Sequence, residues 1–462
     1  MATVLSLARL EDLAADIESF DLLATGFDVR DEGWIQAIAN EGDTSASESV
    51  TLKITGTSQD DLATKVQSLD DIIKKANWRK DFSERYDVWL RAKLGNETNS
   101  RQAMVIQARR SPGVQILNPV TGRNFIAKEY QLGIERTPWW EDPYPYPSTT
   151  ALTAINNIGG KATLAETIRG DVNARLVKMV VTPVGAAAYN QLWIGFKSAR
   201  FGNPANFVSV WPLHLGTTVL DGITDTSSAA DASAFDGTKL TCTFATVPTL
   251  RSRVLIKVTD VTANIADQRG TYAVLMRAKM TASSVARARI HYGYGGPIGI
   301  FNPAYRSRQV ISGADWLYYD MGDVSIPSSE VLSTYSLSNS AIVVEAERIS
   351  GSGSLDMDCL VMIPVDDSAI KLSLPTGVTL DSTNILNIFQ KPDERIDSFS
   401  DIGGLVSYPV DPRSRNWSLP ANDGSPVLVF AAQGVTVQTK SHTADIAYQY
   451  IPRWATLRGS ET

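Results

Sequence analysis

Histidine and cysteine are nearly missing, with three of the first and two of the second in 462 residues. His214, His291 and His442 each stand alone, with no second His or Cys at ligand spacing, which argues against a transition-metal centre and predicts strand-surface or loop positions. Cys242 and Cys359 lie inside strand-like runs, so buried free thiols are expected rather than a disulfide framework. A basic excess is absent too: 43 Lys and Arg face 50 Asp and Glu, without the footprint of a nucleic-acid binder. No apolar run reaches bilayer length, and the opening MATVLSLARLEDLAADIESF breaks with acids and arginines the apolar core a secretory signal needs. A protein without membrane insertion or signal peptide is expected. No Walker loop and no GxSxG elbow occurs, so no cofactor, metal or catalytic residue is assigned.

What is present is alternation. In ARARIHYGY one parity holds Ala288, Ile290, Tyr292 and Tyr294 and the other Arg287, Arg289 and His291, the pattern of a half-buried strand. DWLYYDMGDVSIP reads as a strand broken by Gly322 and Pro327, and HYGYGGPIG as a turn. AIVVEAERI follows, then SGSGS as a joint. In LDMDCLVMIPV, Leu355, Met357 and Cys359 alternate with Asp356 and Asp358 before the pattern turns apolar. Such strands without a helical pattern between them predict an antiparallel sandwich of the jelly-roll kind.

Earlier, a mixed opening and SVTLKITG lead into the clearest helix. Ser58 is its cap, Asp61 sits in the first turn, and Leu62, Val66, Leu69 and Ile72 or Ile73 make one apolar stripe. Strand-like YDVWLRAKL, RQAMVIQARR and FIAKEYQLGIERTPWW complete an α+β unit, and EDPYPYPSTT reads as a stiff connector at a domain boundary. GITDTSSAADASAFDG is small and polar, a surface loop or a linker between two sandwiches.

TLKITGTSQDDL, the helix running into KKANWRKDFSERYDVWL, and the strand ending ERTPWWED together resemble the distal tail proteins of long-tailed bacteriophages. LDMDCLVMIPVDD is similar to the closing strand of carbohydrate-binding-module-like jelly rolls in phage tail proteins. The resemblance implies a small ring-forming barrel with an outward accessory sandwich. The fold class expected is therefore mainly β: an N-terminal α+β split-barrel-like domain over 1–145, a central antiparallel β-sandwich over 146–375, and a small C-terminal β-rich unit over 376–462 packing on the first. The middle region is one large sandwich or two smaller ones with a break near 216–237.

Adjacent tryptophans on a strand end point to opposite faces, so Trp139 and Trp140 beside Arg136 are candidates for an interface with a neighbouring domain or subunit, or for packing within the domain. Tyr292, Tyr294 and Trp316 are candidates for a sugar-stacking platform, weighed against core packing. Asp356 with Asp358, and Asp366 with Asp367, are paired carboxylates; alternation puts the first pair on a wetted face, as solvated charges or a structural Ca²⁺ site rather than a glycosidase pair. The resulting expectation is a structural, non-enzymatic virion protein at a phage tail tip or baseplate, a homo-oligomeric ring contacting other tail proteins. The alternative is a glycan-binding adhesin whose sandwich meets host polysaccharide.

Overall fold

In the computed structural model the chain is described over residues 2–11, 15–29, 43–81, 87–94, 99–116, 126–148, 152–184, 188–199, 202–221, 225–244, 251–262, 265–281, 283–294, 309–326, 340–366, 369–374, 379–381, 386–390, 396–400, 406–408, 418–419, 421, 426–434 and 443–456. Contacts divide it into two units: Met1–Pro147 with Arg169–Arg175 and Tyr450–Thr462, and Ser148–Ile168 with Leu176–Gln449. The protein is mainly β. The first unit takes both chain ends. Of the stretch 376–462, Tyr450–Thr462 falls in the first unit and the rest in the second.

The first unit holds β1 (Ala2–Glu11), β2 (Ala15–Asp21), β3 (Phe27–Val29), β4 (Ala46–Gly56), helix α1 (Gln59–Asp81), β5 (Val88–Leu94), β6 (Arg101–Arg110), β7 (Val114–Ile116), β8 (Ile126–Arg136) and β9 (Trp140–Glu141). The opening segment, mixed in sequence, is the hairpin β1–β2, with Leu5 and Leu7 buried. Arg9, Glu11, Asp16 and Glu18 interrupt the apolar residues of both strands, which hides them from a periodicity reading. β1 pairs with β5, and β6 serves three neighbours: Arg101–Met104 pair with β5, Val105–Arg110 with β8, and Gln102 also with Glu141 of β9. β8 continues to β4, and β4 to β3.

α1 begins where the sequence expects. Ser58 Oγ accepts the Asp61 N–H at 3.0 Å, and the Asp61 carboxylate accepts the Thr57 N–H at 2.7 Å. Leu62, Leu69, Ile72, Ile73 and Ala76 are buried against the sheet, with Val66 at the margin. The Asn77 amide then joins β6 as a short extra strand would, donating to Ala108 O at 2.8 Å and accepting its N–H at 2.9 Å. Arg110 forks onto Asp70, fastening the same helix to the same strand.

The second unit contains a sandwich. One sheet runs in the order Asp225–Ala230, Thr238–Thr243, Leu355–Pro364, Gly270–Met280, Leu317–Ile326, with Val210–Pro212 also on Leu355–Pro364. The facing sheet runs Thr217–Asp221, Arg251–Lys257, Ser340–Ser350, Val285–Tyr294, Gln309–Ser312. Leu240, Met276, Ala278 and Met357 from the first meet Val254, Ile256, Ile290 and Val344 from the second in one core. The polar stretch near 216–237 is no linker. Its described residues supply the edge strands Thr217–Asp221 and Asp225–Ala230, one in each sheet of this same sandwich, and a tight turn. Gly322 does not break its strand either: at φ +86 it sits where the register shifts, and Leu317–Ile326 runs on through it as a bulge.

Every residue of Leu355–Pro364 is buried. A register shift between Arg277 and Ala278 leaves Asp358 as the extra residue, so Leu355 and Met357 face the opposing sheet before it, and Leu360 and Met362 after it. Val361 and Ile363 are thereby turned to the outer face. There a third sheet, Gly160–Thr163, Val427–Gly434, Tyr189–Lys197, Ala369–Ser373, covers them. At Gly195 a Cβ would stand 2.3 Å from Pro364 O, so only glycine permits this approach.

Candidate functional site

The third sheet covers one end of the outer face and leaves polar side chains at the other. Thr241, Asp356 and Lys279 lie opposite one another in register on three neighbouring strands, the complement of the inward row Leu240, Met357, Ala278. Asp356 accepts Thr241 Oγ1 at 2.8 Å and Lys239 Nζ at 2.7 Å. Asp231 Oδ2 lies 3.1 Å from Lys279 Nζ and 3.9 Å from Lys239 Nζ. The Trp316 ring closes the row, with Lys279 Nζ 4.3 Å and Arg277 Cζ 5.1 Å from its centroid. Arg277 is fully buried, donating to Asp358 and, at 2.8 Å, to Ser233 O.

The turn from Asp231 to Gly237 caps this row, and its residues are chosen for it. Asp231 accepts the Ser233 N–H at 2.9 Å, Asp236 accepts the Thr238 N–H at 3.1 Å, and Gly237 takes φ +85. The Phe235 N–H reaches Asp358 Oδ1 at 2.9 Å while its ring stays 36% exposed. His214 Nε2 lies 3.3 Å from Asp236, beside exposed Leu215. Burial raises the Asp358 carboxyl above its ordinary range against the pull of Arg277. For Asp231, burial is outweighed by the Ser233 N–H and the two lysines, which hold the carboxyl low. Three cations, Lys239, Arg277 and Lys279, thus balance three carboxylates, Asp231, Asp356 and Asp358.

Asp356 and Asp358 are therefore not solvated charges: each is 1% exposed, and each is held by a cation. The bulge and the covering turn, both invisible to simple alternation, account for the difference. Asp366 accepts the Thr271 N–H, and Asp367 lies outside the described residues, as does His442. His291 is buried on its strand rather than surface-exposed. Trp316 stands just ahead of strand Leu317–Ile326 of one sheet and is 5% exposed, while Tyr292 lies in the facing sheet, packed against the core by its parity with Ala288 and Ile290, so they do not share a platform. The Tyr294 side chain and the expected turn after it lie outside the described residues. Cys242 and Cys359 are free and buried.

Of the other trio, Arg136 is fully buried. It bonds Glu48 at 2.7 and 3.0 Å, donates to the Thr137 and Pro138 carbonyls at 2.9 Å, and lies 4.4 Å over the Trp140 ring. Trp140 is core and Trp139 half-buried. A second buried node that sequence reasoning did not find stands next to them. Glu141 accepts Arg175 at 2.6 and 2.8 Å and Arg453 at 2.9 Å, joining three chain segments of the first unit.

No family model matches the sequence, and no curated protein matches it. Among solved structures, the chain is similar to the CBM22-1 xylan-binding domain of Paenibacillus barcinonensis Xyn10C, at 13% identity and TM-score 0.23, over 34% of this chain and 93% of that one. It is also similar to the tandem CBM22-1–CBM22-2 domain of the same enzyme, at 10% identity and TM-score 0.26, over 55% and 99%. TM-scores this low fix neither fold nor ligand.

Proposed function

We propose that the protein is a non-enzymatic binding and display protein, in which the sandwich of the second unit contacts polysaccharide and the first unit serves as its base. The observation that carries this is the charge-balanced row on the outer sandwich face, with lysine and carboxylate groups held in place beside exposed Phe235. Balanced charge selects against ions and for a neutral, hydroxyl-rich ligand that takes several oriented hydrogen bonds and stacks on one ring. Affinity electrophoresis of the full chain in soluble polysaccharides tests it. Wild type is retarded by at least one glycan, and Phe235→Ala and Lys279→Ala lose that retardation while melting like wild type. Unchanged mobility of wild type across the panel, with an empty glycan array, overturns the reading.

A second reading, the phage-tail scaffold that the N-terminal third resembles, is favoured by the course of the chain. The chain leaves the first unit after Pro147, re-enters it over Arg169–Arg175 and again from Tyr450, and the three passages are tied at Glu141. A base closed on itself in this way carries an accessory unit between tied ends. Self-association of the purified chain into a particle of defined stoichiometry is its test, and a monomer at all concentrations removes it.

A further inference from the structure

The first unit carries a guanidinium that its own fold orients and that acts on the Asp142 carboxylate without bonding to it. Arg169 is exposed, lies 4.9 Å over the Tyr146 ring, and makes a single hydrogen bond, to Tyr146 Oη at 3.4 Å. Tyr146 is held in turn, stacked on Tyr450 at 5.9 Å and 27° and donating to Asp142 at 3.3 Å. Arg169 makes no ion pair among the described residues. Tyr144, two residues before Tyr146, is 66% exposed. An arginine laid on tyrosine beside a second, exposed tyrosine is the side-chain chemistry that dominates protein contacts, because little rotamer freedom remains to be lost on docking.

The complementary surface is on the same unit. Asp60, Thr64, Gln67 and Asp71, followed by Lys74, are the exposed residues of one stripe of α1, the two aspartates about three turns and roughly 16 Å apart. Their side chains make no ion pair among the described residues, whereas Asp61 and Asp70 on neighbouring stripes are engaged by Lys65 and Arg110. We propose that Arg169, with Tyr144 and Tyr146, docks on the Asp60–Asp71 stripe of α1 of a second copy of this chain. The inference rests on the scaffold reading above. Two different patches of one unit meeting in this way form a head-to-tail contact, which closes into a ring when the rotation permits.

Mass photometry and light scattering of the full chain test it, with thermal melts of each variant as the folding control. Arg169→Glu, or Asp60→Arg with Asp71→Arg, is expected to raise the self-association Kd about tenfold or more, and the combined charge swap to restore it. Tyr144→Ala weakens the contact without altering charge. If wild type is monomeric throughout, the scaffold reading falls and takes this contact with it. If wild type assembles and the single swaps leave assembly unchanged, the contact alone falls. If the swaps dissociate the particle and the combination does not restore it, α1 is not the partner of Arg169.

Discussion

Arg136 shows how far a single residue can be read from its neighbours in sequence. Its company of two tryptophans marks it as special, but only the fold reveals Glu48, 88 positions away, as its counter-ion. Removing one side of a buried pair costs about 3–5 kcal/mol, because the other charge stays buried, while replacing both by apolar groups is far milder. Arg136→Met should therefore lower the melting temperature strongly, and Arg136→Met with Glu48→Leu should recover most of the loss, in the same calorimetric scan. The cysteines were more legible, since an apolar alternating strand announces a buried thiol. Burial pushes the Cys242 thiol up to about 12 and raises that of Cys359 well above the ordinary thiol range. Neither should react with a thiol reagent at pH 8 in the folded protein, and both should react once denaturant unfolds the second unit, as absorbance from a chromogenic disulfide would record.

Among elements, α1 was visible because cap, first-turn acid and apolar stripe agree with one another. Ser58→Ala removes one hydrogen bond from an orphan N–H and should cost about 1 kcal/mol in urea unfolding, with Ser58→Asp close to neutral. Strand Leu355–Pro364 was visible as a strand and misread in detail. One extra residue at Asp358 changes which parity faces inward, so an alternation that holds for Leu355 and Met357 fails at Cys359. The edge strand Asp225–Ala230 is built from threonine, serine and alanine, residues with too little apolar surface to show a period, and it owes its state to pairing with Thr238–Thr243. Lys239 and Lys279 were hidden for a related reason: a charged residue on an outer face has no signature until the strands beside it are known.

For the molecule as a whole, each unit has its own apolar core, and the first adds the Glu141 node. Burial opposes ionisation of Glu141, but Arg175 and Arg453 prevail and hold it below the ordinary value of 4.5. A carboxyl lowered in the folded state binds fewer protons there than when unfolded. Its contribution is complete above pH 4.5 and disappears as the pH falls through the folded value. Glu141→Gln should thus lower the first unit's transition by about 3–5 kcal/mol at pH 7 and flatten its dependence on acid, leaving the Cys-reporting transition of the second unit in place. Composition and strand count made the mainly β class legible, while the return of Tyr450–Thr462 to the first unit depends on a contact between positions 312 apart, beyond any local pattern. That return has a mechanical consequence. A pull applied at Ala2 and Trp454 enters and leaves through the same unit, so the load is borne by its ladders and by the Glu141 node. The sandwich, whose sequence lies between the passages tied at that node, feels no stretch until that unit has torn.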